Sequence, residues 1–165
     1  MATKLVATQH YSAAPDQVYA LYSDRGFVEA RLEANGGLNP EVVSLDVSDS
    51  GVDIVTRQAI PASALPSAVT SFISGDPSTQ RTENWRQAAN GYEADLKVTI
   101  HGAPATLKGT ITLVANGAGS TATVNADANV PIPLFGGKIE KVIVEQLTEL
   151  FRLEEQFTEE QLGGE

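Results

Sequence analysis

Val130-Pro-Ile-Pro-Leu-Phe-Gly-Gly-Lys-Ile-Glu-Lys-Val-Ile-Val-Glu-Gln-Leu-Thr-Glu-Leu-Phe-Arg-Leu-Glu-Glu-Gln-Phe157 is the one long segment of the chain with sustained helical periodicity. At about 100° per residue, Ile139, Ile143, Leu147, Leu150 and Phe157 fall in one narrow stripe, with Val142 and Phe151 on its shoulders. Pro131 and Pro133 stiffen the approach, Gly136-Gly137 makes a joint, and the helix is expected over about 135–160. The same count sets Gln146 beside Ile139 and Leu150, and Glu154 between Leu147 and Leu150. Nearly everything upstream reads as strands, so one amphipathic helix faces a large, half-apolar sheet.

Working back from the helix, Ala122, Val124, Ala126, Ala128 and Val130 alternate as a strand whose inward residues are mostly alanine. Those small side chains either let the helix approach closely or leave space unfilled. Asn116-Gly117 turns the chain, and Leu107, Ile111 and Leu113 mark the strand before it. Tyr92, Ala94, Leu96, Val98 and Ile100 alternate without a break, preceded by the hairpin signal Ala89-Asn90-Gly91 and a strand Thr79–Arg86 carrying Trp85. Residues 62–74 form a connector with a short helix around Leu65–Phe72, closed by Gly75-Asp76-Pro77. Two further strands carry Val43, Leu45 and Val47 on one face, then Val52–Ile60. Before them come two short helices, one opened by Pro15 and Asp16, the other N-capped by Asp24 and ended by Asn35-Gly36-Gly37. Leu5–Tyr11 is the first strand, with Leu5, Ala7 and Tyr11 on one face.

The 165 residues suit one domain, 1–165, with enough chain for a core. A net charge of -10 argues against nucleic-acid and anionic-membrane partners, which need a basic footprint. The acidic residues Glu154, Glu155, Glu159, Glu160 and Glu165 oppose the dipole at the end of the long helix, which is expected to fray into solvent. Cysteine is absent, which excludes disulfides and thiolate chemistry. No apolar run reaches the roughly 18 residues of a membrane span. Met1-Ala-Thr-Lys-Leu-Val-Ala lacks the pattern of a secretory signal, so a cytoplasmic location is expected.

The segments Ala14-Pro-Asp-Gln-Val-Tyr-Ala-Leu, Glu29-Ala-Arg-Leu, Arg81-Thr-Glu-Asn-Trp-Arg, Gly102-Ala-Pro-Ala and Pro131-Ile-Pro-Leu-Phe-Gly-Gly-Lys-Ile-Glu-Lys, in this order, resemble an actinobacterial family of unknown function within the START-like superfamily. The resemblance implies the α+β helix-grip fold: an antiparallel sheet of about seven strands wrapped around the C-terminal helix, with two short helices after strand 1. Members of that superfamily include lipid-transfer domains and polyketide cyclase or dehydrase-like proteins, which hold apolar molecules between sheet and helix. The family itself brings no ligand or reaction.

The chemistry-bearing residues are few. His10 and His101 fall on outward strand positions without a nucleophile-elbow pattern, and two histidines alone do not make a zinc site. Asp46, Asp49 and Asp53 lack the spacing of a calcium loop. Gly136-Gly137 is not followed by the Lys-Ser of a phosphate loop, so backbone clearance is its expected role. No cofactor or metal is expected. The informative polar residues are Gln146 and Glu154. Either Glu154 lies past the sheet edge in water, or it is buried and pairs with Arg31 as the polar floor of a pocket. In the second arrangement the ligand meets Tyr11, Trp85, Leu96, Ile143, Leu147 and Phe151, the same residues that would otherwise form plain core. A binding or carrier protein for an apolar small molecule is the leading expectation. A cyclase, dehydratase or hydrolase using Glu154 with Tyr19 or Arg31, or a partner-binding module, are the alternatives.

Overall fold

The computed structural model describes residues 2–65, 67–71 and 75–163. Strand β1 (Thr3–Tyr11) leads into helices α1 (Pro15–Tyr22) and α2 (Arg25–Ala34), followed by β2 (Leu38–Ser48) and β3 (Gly51–Ala59). The connector holds a 3-10 turn at Ala62–Ala64 and one turn of helix, α3 (Ser67–Thr70); the Phe72 end of the expected helix lies outside the described residues. Then come β4 (Ser78–Ala88), β5 (Gly91–Ile100), β6 (Thr106–Asn116), β7 (Gly119–Asn129) and the long helix α4 (Gly136–Leu162). The strands form one antiparallel sheet in the order β1-β7-β6-β5-β4-β3-β2, and α4 lies chiefly against β1, with β7 and α2 beside it. This is the expected α+β helix-grip arrangement.

Local chemistry explains most boundaries. Pro15 sits at the first helical position of α1, and Gln17 folds back to accept a 3.3 Å bond from the Ala14 amide. Asp24 stands at the N-cap of α2 but makes no side-chain cap bond; its carbonyl accepts from Val28 N instead, at 3.1 Å. Gly36 takes φ 79° just past α2, the left-handed conformation that favours glycine. Gly136 is also required, because a Cβ there would meet the Val130 carbonyl oxygen at 2.1 Å, whereas Gly137 stands in open space.

Two expectations change. Val43 does not share one face with Leu45 and Val47: the ladder slips between Val42 and Ser44, making Val43 the extra residue of a β-bulge. Val42 is buried in its place and Val43 is 39 % exposed. The acidic end of α4 does not fray into solvent within the described residues. Glu155 accepts a 2.8 Å bond from His10 N and Glu159 a 3.1 Å bond from Ser12 N, so the carboxylates cover amides along the free edge of β1.

The inward alanines of β7 resolve toward close packing. Ala122, Ala126 and Ala128 are fully buried, and none of them borders the cavity described below. Gly109 on β6 continues this close approach: it pairs with Ala126, and a Cβ there would stand 2.1 Å from the Asn125 carbonyl oxygen. Gly109→Ala is therefore expected to cost about 1–3 kcal/mol through overpacking against main chain, seen as a lower urea midpoint with an unchanged m value.

Candidate ligand-binding site

The inner face of β4 is unusual for a sheet interior. Period-2 alternation puts Arg81, Glu83 and Trp85 on one side, opposite Val98, Leu96 and Ala94 of β5. Burying two charges there demands partners, and they are supplied from three elements. Arg81 donates to Glu83 Oε2 at 2.5 Å and, through Nη1, to Glu154 Oε2 of α4 at 2.7 Å. Its guanidinium lies over the Phe151 ring at 4.9 Å. Trp85 Nε1 donates to Glu83 Oε1 at 2.7 Å. From the end of α2, Asn35 Nδ2 donates to Glu154 Oε2 at 2.9 Å. Arg31 Nη1 stands 3.9 Å from Glu154 Oε1, with its guanidinium over Tyr22 and Phe27.

This charged layer partitions the interior. On one side lies a packed aromatic core in which Tyr22 contacts Phe27 and Trp85, and Phe27 contacts Phe157. On the other side, between the sheet and α4, is a cavity of about 320 Å³. Its apolar wall includes Val98, Ile100 and Leu107 from the sheet, Val130 and Ile132 from the loop before α4, and Ile139, Ile143 and Leu147 from the helix. Arg31, Asn35, Thr56, Gln58, Arg81 and Glu154 provide its polar side. The helix is buried at Ile139 and Glu140 and again at Phe151, Glu154 and Thr158, but only half-buried at Ile143, Leu147 and Leu150, where it spans the cavity.

Of the residues singled out from sequence, Arg31, Ile143, Gln146, Leu147 and Glu154 border this space, Gln146 from an exposed position at its rim. Glu154 is buried, 2 % exposed, and so does not lie past the sheet edge in water. Tyr11, Trp85, Leu96 and Phe151 are instead buried in the core cluster, off the cavity wall. Tyr19 stacks on Tyr92 at 4.0 Å and is likewise away from it. The expected Arg31–Glu154 pair is present as a long contact; the dominant partner is Arg81, which sequence reasoning did not select. The signal was available, because placing Trp85 inward on β4 places Arg81 and Glu83 inward too. Asn35 and Gln58 were also missed, the first read only as part of a helix cap.

Electrostatics follow from this packing. Burial alone would raise the Glu154 carboxyl, but Arg81, Arg31 and the hydrogen bonds from Arg81 and Asn35 outweigh it and hold the group below its ordinary range. Burial opposes the charge on Arg81, yet Glu154 and Glu83 raise its pKa above the usual value. Burial, first, and the mutual proximity of the two phenols raise Tyr11, which stays neutral; burial likewise raises Tyr22.

The architecture is the helix-grip fold of START-like proteins. A START superfamily protein from Mycobacterium smegmatis superimposes with a TM-score of 0.58 at 13% identity, covering 96% of this chain and 98% of its own. A protein from Thermus thermophilus superimposes with a TM-score of 0.60 at 17% identity, covering 94% and 97%. The Zhui aromatase/cyclase of a Streptomyces species superimposes with a TM-score of 0.57 at 9% identity, covering 95% and 94%. Within that fold the chain belongs to the family described as protein of unknown function (DUF2505), whose family model matches residues 7–162. An uncharacterized protein of Mycobacterium tuberculosis is 31% identical over 156 residues, 90% of each chain. No helix among the described residues is long and apolar enough to cross a membrane.

Two consequences are measurable. Arg81→Met leaves Glu154 and Glu83 buried without their shared cation and is expected to destabilise by about 3–5 kcal/mol in denaturant titration; a loss under 1 kcal/mol would contradict the network. Because the folded-state pKa of Glu154 is depressed, its contribution is fully present above the ordinary value of 4.5 and is lost as pH falls through the lower folded value. Stability should therefore decline more steeply below pH 4.5 in the native protein than in Glu154→Gln, measured as midpoint against pH.

Proposed function

We propose that the protein binds and carries an apolar small molecule in the space between the sheet and α4. The carrying observation is the 320 Å³ cavity whose wall is mostly aliphatic and whose one polar side is convergent and buried. That volume sits at the lower end of the roughly 300–1,000 Å³ range of small-molecule pockets, so it suits a medium alkyl chain or a small ring system better than a sterol. The START-like fold of the structural neighbours supports the same placement of a ligand.

Acid-base turnover is the less favoured reading. Glu154 is held ionised by two arginines, which makes it a poor proton donor, and its Oε2 already accepts two hydrogen bonds. Tyr19, the other candidate, does not border the cavity.

N-phenyl-1-naphthylamine, a neutral apolar dye, is expected to brighten on binding the native protein and to raise its thermal midpoint. Leu147→Trp fills the cavity from the helix side; it should abolish the fluorescence gain while retaining a cooperative melt at or near the native temperature. Native mass spectrometry after gentle purification gives a second readout, a retained small mass in the native protein that the Trp variant lacks. Dye fluorescence and mass both unchanged between the two proteins would sink the reading.

A further inference from the structure

We propose that Arg31 anchors the polar end of the ligand, and that this end is an uncharged hydrogen-bond acceptor, a ketone or ester carbonyl, in preference to a carboxylate. The inference rests on the binding reading above and names the head group that the same cavity takes. The two arginines on its polar side are engaged differently. Arg81 commits every guanidinium nitrogen to a carboxylate, Nε and Nη2 to Glu83 and Nη1 to Glu154. Arg31 is also buried, 7 % exposed, yet makes no hydrogen bond among the described residues. The closest carboxylate oxygen, Glu154 Oε1, stands 3.9 Å from its Nη1, beyond hydrogen-bonding distance. The guanidinium is held by its faces instead, 5.3 Å from the Tyr22 ring centre and 5.7 Å from that of Phe27. The N–H groups along its edge are left unused. They are not sealed off. Among the described residues, the buried side-chain atoms that lack both a hydrogen-bond partner and contact with open space are Asn35 Oδ1, Gln58 Oε1, Ser120 Oγ and Thr158 Oγ1. No nitrogen of Arg31 is in that set, so its unbonded N–H groups have space before them, and Arg31 forms part of the cavity wall.

Charge decides which acceptor fits. Arg31 and Arg81 stand against Glu83 and Glu154, so the ionic layer is neutral before a ligand arrives. A carboxylate on Arg31 would add a third anion beside Glu154, in a buried layer where like charges repel strongly. An ammonium would have to shed its water against two guanidinium groups. A carbonyl oxygen accepts from the free edge of Arg31 without changing the charge, and hydrogen bonds to a charged donor are the stronger kind. The remainder of a ketone or ester is apolar and suits the aliphatic wall of Val98, Leu107, Ile139 and Ile143.

The test displaces N-phenyl-1-naphthylamine at pH 7 from the native protein and from Arg31→Met. The competitors are 2-nonanone, nonanoate and 2-methyl-1-nonene, which keeps the ketone's skeleton with a methylene in place of the oxygen. The readout is the ketone-to-alkene affinity ratio compared between the two proteins, in which their different transfer from water cancels. That ratio should fall about tenfold in Arg31→Met, and nonanoate should displace more weakly than the ketone from the native protein. If the variant does not fold, infrared difference spectra of 2-nonanone on the native protein decide. The C=O stretch of the bound ketone should lie at or below its frequency in water; a stretch at its hexane position means that no donor reaches the oxygen. That result, an unchanged ratio, or nonanoate displacing best would each overturn the carbonyl head and leave the binding reading standing. No dye binding at all would overturn both.

Discussion

The ion pair between Arg81 on the sheet and Glu154 on the long helix is the constraint on which the rest of the interior depends. It joins the two layers of the fold at a point where Glu154 is buried and Arg81 largely so. Withdrawing such charges costs several kcal/mol each, and that cost is offset only when every partner is in place. Here the offset is distributed: Glu154 Oε2 accepts from both Arg81 and Asn35, Glu83 accepts from Arg81 and Trp85, and Arg81 rests on the face of Phe151. Elements separated by most of the chain are thereby fixed to one geometry. An apolar substitute of the same volume could pack as well, but would not set the rotation of the helix so narrowly.

That anchoring is what permits a cavity. Helix α4 carries a second buried glutamate, Glu140, about four turns away. It accepts from Thr3 Oγ1 at 2.8 Å and from Val130 N at 2.9 Å, which ties the start of the helix to β1 and the end of β7. Between the two clamps the helix passes along the cavity, and Ile143, Leu147 and Leu150 are left half-buried. Hydrophobic contact alone would draw those residues onto the sheet, since an unfilled void forfeits dispersion contacts. The fixed ends and the alanines of β7, which set the helix against the β1 edge, hold it off the centre.

The fold was legible in the sequence because its signals are local and redundant. Period-2 alternation in β5, turn residues at Asn90-Gly91 and Asn116-Gly117, and the stripe of α4 each specify one element and agree with one another. The bulge at Val43 was not legible: an edge strand tolerates an extra residue without any compositional mark, and only the partner's register exposes it. The site was legible in part. Glu154 and Arg31 were found because a charge on an apolar face asks for a partner. Arg81 was passed over because β4 alternates charge with polarity on both faces, and Trp85 alone marks which of them is inside. Tyr11, Trp85, Leu96 and Phe151 were grouped with the pocket by type, since an aromatic or aliphatic residue facing the helix looks the same whether it lines a void or fills one. That distinction depends on where the helix lifts from the sheet, a tertiary property.

Placing the ionic layer between packed core and cavity gives it two roles that cannot be separated. The residues that hold the helix also line the cavity in which a ligand is proposed to bind: Glu154 and Asn35 belong to both. A head group that contacts them therefore acts on the helix–sheet junction itself, and a ligand bound only by the folded chain stabilises it in proportion to its occupancy.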